Sequence, residues 1–126
     1  MNKPMPVAHK TTVPLYRLAH SRTGDKGDIS NISVIAWKPE LFPILKEQLT
    51  EEALKKWFAF RKPQRIRRYV IESIHAMNFV LEGILDGGVN DALNLDTHGK
   101  ALSFYLLDFP VTVDSTLAGT LPDITP

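Results

Sequence analysis

Residues 15–37 read Leu15-Tyr16-Arg17-Leu18-Ala19-His20-Ser21-Arg22-Thr23-Gly24-Asp25-Lys26-Gly27-Asp28-Ile29-Ser30-Asn31-Ile32-Ser33-Val34-Ile35-Ala36-Trp37, and this stretch decides the class of fold. Ile32, Val34 and Ala36 alternate with Ser33 and Ile35, the period of a half-buried strand running from Ile29 to Trp37. Leu15 to Ala19 reads as a shorter strand before it. Between them, His20 to Asp28 holds two glycines, two aspartates, a lysine, an arginine, a histidine and a serine, a composition that predicts a polar connecting loop.

That loop concentrates the chemistry. Gly24 and Gly27 permit positive φ and close backbone approach, which would let successive N–H groups converge on an anion. Arg22 and Lys26 add donors suited to a carboxylate or phosphate, with Ser21 beside them. His20 is a candidate general base or acid, since an imidazole suits proton transfer near neutral pH. Asp25 or Asp28 would orient it, or offer oxygen to a hard cation. The competing reading is an ordinary connection in which Asp25 and Asp28 cap turns and pair with Arg22 and Lys26. The spacing is not that of a Walker loop.

Working outward, Pro39 suits a first helical turn, and Leu41, Ile44, Leu45 and Leu49 follow at helical spacing. Thr50 predicts an N-cap for a second helix, with Glu51 and Glu52 at the positive end of its dipole and Leu54, Trp57 and Phe58 on its apolar stripe. Ile66 to Ile71 reads as a strand. Ser73 is taken as the cap of a further helix carrying Ile74, Met77, Leu81, Ile84 and Leu85, stopped at Gly87-Gly88. Ala92 to Leu95 and Leu102 to Phe109 then predict a hairpin. Residues 1–12 read as a flexible arm, 13–109 as the folded domain and 110–126 as an extended tail. Strands interleaved with helices in a chain this short predict an α+β fold, a ferredoxin-like sandwich with a mixed or antiparallel sheet covered by helices on one face.

Two amides stand out beyond the loop. Asn31 lies in the second strand, and Asn78 falls on the apolar stripe of the expected helix, where an amide without partners costs about 1–3 kcal/mol. Either serves a site or merely bonds core backbone. Gly87 and Gly88 carry the same ambiguity between site and C-cap.

The 126 residues contain 44% hydrophobic and 23% charged side chains, enough for one domain with a core of its own. There is no cysteine, which excludes thiolate metal sites and a cysteine nucleophile and fits a reducing, cytoplasmic setting. Fifteen basic against fourteen acidic residues leave +1, so nothing electrostatic points to nucleic acid despite the run Arg61, Lys62, Arg65, Arg67 and Arg68. No apolar stretch predicts a signal peptide or a membrane span. None of the histidines has the i, i+4 partner of a zinc helix, so no metal site built on histidine is expected, and no metal ligand is assigned.

The motif Leu18 to Asp28 with Asn31-Ile32, followed by Met77-Asn78-Phe79-Val80-Leu81 and Gly87-Gly88-Val89, resembles the C-terminal domain of AtuA-like proteins, from about Leu15 to Asp108. The resemblance implies a ferredoxin-like fold and an association with acyclic terpene utilisation, and it makes the loop more site-like without supplying a reaction. In that family the domain usually follows a much larger one. Three functions compete at this point. The first is a free-standing small subunit that docks on a large AtuA-like partner and lends an anion-binding loop to a shared site. The second is an autonomous, homo-oligomeric enzyme or binding domain for a carboxylate or a CoA thioester. The third is a purely structural assembly domain.

Overall fold

The polar motif and the alternating run after it form a single antiparallel hairpin, and the rest of the fold is arranged around that pair. The computed structural model describes residues 9–26, 29–83 and 100–121. In chain order these form β1 (Lys10–Pro14), β2 (Ala19–Lys26), β3 (Ile29–Ala36), α1 (Phe42–Gln48), α2 (Glu51–Trp57), β4 (Arg65–Ile71), β5 (Ala76–Glu82), α3 (Lys100–Leu107), β6 (Pro110–Asp114) and α4 (Ser115–Ala118). A four-stranded sheet has the order β2-β3-β5-β4 with every neighbour antiparallel, while β1 and β6 pair separately. The α+β reading holds.

One face of the four-stranded sheet is the core face. Ile32 and Val34 of β3, Met77, Phe79 and Leu81 of β5 and Ile66 of β4 are buried in one cluster with Leu45 of α1, Leu54 of α2 and Leu102 and Leu106 of α3. Helices therefore lie against this face, with α2 against β4 and α3 against β2. The local signals that start α2 are as expected: the Thr50 hydroxyl accepts from the Ala53 N–H at 3.0 Å, and Glu51 and Glu52 occupy the first turn. Pro39 opens a 3-10 turn, Pro39–Leu41, that leads into α1. Among the described residues no helix is long and apolar enough to cross a membrane.

Four expectations are corrected. Leu15–Arg17 is a 3-10 turn, because Leu15 and Leu18, three apart, are both fully buried and the Leu18 N–H donates to the Leu15 carbonyl. The expected helix from Ser73 is instead a 3-10 turn followed by the central strand β5. Met77 and Leu81 satisfy both periods, but Phe79 is buried and Ile74 is 55% exposed, which only alternation produces. Leu102 to Phe109 is largely helical: Leu102 and Leu106 are buried while Phe104, which alternation would bury with them, is 63% exposed. Finally, Lys10–Thr12 of the expected arm pairs in β1 with β6 of the expected tail, where α4 follows as a short helix. The expected strand at 92–95 lies outside the described residues.

The basic run is not one surface. Arg68 lies at a core-facing register position, and its Nη1 donates to the carbonyls of Lys46 at 2.6 Å and Leu49 at 3.0 Å, while its own N–H donates to Glu51 Oε2 at 2.8 Å. It thus ties the end of α1 and the start of α2 to the sheet edge, supplying donors to carbonyls that a helix end leaves unmet. Arg68→Ala is expected to lower stability by about 1–3 kcal/mol, seen as a lower urea midpoint at an unchanged slope.

Candidate functional site

Because β2 is a strand and not a loop, the motif is sorted by alternation, with successive side chains going to opposite faces. Ser21 and Thr23 stand opposite Val34 and Ile32 on the helix-covered side. Ser21 Oγ is buried there with no hydrogen-bond partner among the described residues, and Thr23 Oγ1 accepts from the Ser103 N–H of α3 at 3.0 Å. His20, Arg22 and Gly24 stand opposite Ile35, Ser33 and Asn31 on the other face, which is helix-free among the described residues. The Asp25 and Lys26 backbones pair with Ser30 and Ile29. Gly27, Asp28, Gly87 and Gly88 lie outside the described residues.

The register carries these rows across the sheet. Ser33 faces Asn78 of β5, which faces Tyr69 of β4, so Arg22, Ser33, Asn78 and Tyr69 form one line from edge to edge. The next line is Gly24, Asn31, Val80 and Arg67. On the other side of the polar line lie His20, Ile35, Ala76 and Ile71. His20, Arg22, Asn31 and Asn78, far apart in the chain, are thus brought to one surface, and Ser21 is separated from them. Asn78 is not on a helical stripe at all: it is half-exposed in the middle of a central strand.

The nest expected of the glycines does not form at Gly24. It sits in the ladder opposite Asn31, and the positive-φ glycine among the described residues is Gly83, at φ 78°. A methyl group at Gly24 would meet no atom within 4 Å, so the position is simply open. The polar groups this face presents are therefore side chains. Arg67 Nη1 donates to Tyr69 Oη at 3.4 Å, and this hydrogen bond holds the Arg67 guanidinium pKa above its usual value, keeping it cationic. His20 stacks on Trp37 with ring centroids 4.7 Å apart, and the Trp37 indole N–H is anchored on the Tyr16 carbonyl at 3.0 Å.

Arg22, Asn31, Ser33 and Asn78 make no side-chain hydrogen bond to any described residue. Asparagine and glycine are poor strand formers, and an amide in a central strand that bonds nothing does not help the fold. Sequence reasoning found Asn78 but missed Ser33, Tyr69 and Arg67. The available signal was the second phase of the alternation, in which Arg67, Tyr69 and Ile71 of Ile66–Ile71 face opposite to Ile66. Asn78→Val is expected to leave the fold intact and raise stability by up to about 1 kcal/mol, measured by urea unfolding. A loss of stability there would mean that the amide serves the fold.

An antiparallel sheet with helices on one face and polar side chains gathered on the other defines an α+β module with two chemically distinct faces. The match that places it is to the AtuA ferredoxin-like domain, over residues 13–112, and the chain belongs to that family. No curated protein and no solved structure matches it.

Proposed function

We propose that this AtuA-like domain is a small subunit whose helix-free sheet face docks on a large AtuA-like partner and supplies an anion-binding surface to a site shared between them. The observation that carries this reading is the line Arg22, Ser33, Asn78 and Tyr69, which puts polar donors from all four strands on the face opposite the described helices. Tyr69 is 47% exposed, and beside the line lie Ile71, 41% exposed, and the half-buried Ile35. Apolar side chains next to cations and amides suit an interface more than a solvated surface.

Charge favours a different chain over a second copy. Arg22, Arg65 and Arg67 stand at outward register positions against the single acid Glu82 among the described residues. Stacking two such faces would set cations against cations, whereas an acidic partner surface or a bound anion relieves that repulsion. The module acts in the cytoplasm on this reading, which the cysteine-free sequence supports. His20 lies at the rim of the shared site, where it is available to a proton-transfer step. The family's association with acyclic terpene utilisation supplies the pathway context.

Co-expression of the tagged chain with the large AtuA-like protein of the same host is expected to recover a stoichiometric complex. The double charge reversal Arg22→Glu, Arg67→Glu should reduce recovery roughly tenfold or more, since each cation at a docked surface contributes charge-assisted bonds. Circular dichroism checks that the variant is folded. Undiminished recovery with the folded variant would show that docking uses another face.

A further inference from the structure

We infer that the helix-free sheet face is built for a carboxylate bearing a short apolar body, its head held by Arg22, Ser33, Asn78 and Tyr69 and its body lying over Ile35 and Ile71. The inference rests on reading this face as an anion-binding surface and adds the chemical class of the anion. Ser33 and Asn78 oppose each other on the two central strands, with Arg22 and Tyr69 on the flanking strands in the same line. At about 4.8 Å between strands, the line is roughly 14 Å long. The hydroxyl and the amide lie at its centre, and the two long side chains reach in from either end. All four groups are donors. The Arg67 N–H already donates to Tyr69 Oη, which leaves the phenolic O–H to point at a guest.

A flat row of side-chain donors matches the two coplanar oxygens of a carboxylate, to which a guanidinium adds a two-pronged contact. It matches a phosphate less well, because phosphates favour converging main-chain amides, and here Gly24 is held in a regular ladder. The neighbouring rows give the ligand a direction. Two residues along the strands, about 7 Å away, the row of His20, Ile35, Ala76 and Ile71 has no permanent charge, and Ile74 beyond it is 55% exposed. On the opposite side of the donor line stands Arg67. A guest with a charged head and an apolar body has one orientation on this surface.

The test is titration of the full chain by two-dimensional 15N NMR with hexanoate, acetate, hexan-1-ol and inorganic phosphate. The expected result is saturable movement of the Asn78 side-chain amide and of the Ser33, Ile35 and Ile71 backbone amides. Hexanoate should bind about tenfold or more tightly than acetate, from the added apolar contact, and more tightly than hexan-1-ol. Arg22→Ala and Asn78→Ala should each weaken hexanoate roughly tenfold in variants whose spectra stay dispersed. Ile71→Ser should narrow the gap between hexanoate and acetate while leaving acetate unchanged. Phosphate binding as tightly as hexanoate overturns the carboxylate assignment and leaves the anion surface standing. Equal binding of hexan-1-ol overturns the assignment too, and no response to any anion overturns both. Repeating the titration on the complex separates the two sources of a carboxylate. Retained hexanoate binding supports a free acid, whereas displacement by the docked partner assigns the carboxylate to the partner's own acidic side chain and overturns the inference.

Discussion

The antiparallel register of β3 against β5 is the constraint on which the rest of the structure depends. Ile32 opposite Phe79 and Val34 opposite Met77 place four large side chains on one face of the two central strands, and all four are completely buried. A slip of one residue would turn every one of them to the other side. Once those pairs are fixed, the intervening residues have no freedom: Ser33 must stand opposite Asn78, and Asn31 opposite Val80. The core therefore positions the polar face by the same hydrogen bonds that build the sheet. Paired strands hold such side chains more closely in place than a loop would.

The two faces of the sheet differ in chemistry. The helix-covered face is filled by leucine, isoleucine, valine, methionine and phenylalanine, with Arg68 as its one long cation, bonded to the end of α1. The helix-free face carries amides, a serine, arginines and a tyrosine in strands that β-branched residues would stabilise better. Local propensity and observed structure disagree at those positions. A second exposed group, Phe60 and Tyr105 with ring centroids 5.0 Å apart beside Trp57, joins α2 to α3 on the far side of the molecule.

Much of the architecture was legible along the chain. The alternation of β3 and of Ile66–Ile71, the Thr50 cap and the proline-initiated turn are local signals, and each was read where it stands. The errors share one cause. Short apolar runs satisfy two periods at once, so Met77 and Leu81 fit a helix as well as a strand, and Leu102 and Leu106 fit a strand as well as a helix. Only the neighbours decide between them: β5 forms hydrogen bonds with strands on both sides, and α3 packs across β2. The terminal strands β1 and β6 escaped notice because each is stable only against the other, nearly a hundred residues away in the chain.

The sequence by itself determined that the fold is α+β, that no cysteine chemistry is available, and that His20, Arg22, Asn31 and Asn78 are residues out of keeping with a plain core. Those are properties of composition and short-range pattern, and they need no partner strand to be true. The tertiary structure alone decided that these residues share a surface, that Ser21 does not, and that Ser33, Tyr69 and Arg67 join them. Which side chains meet depends on register between strands distant in the chain, and register is set by the mutual burial of the central pairs, a property that no single segment possesses.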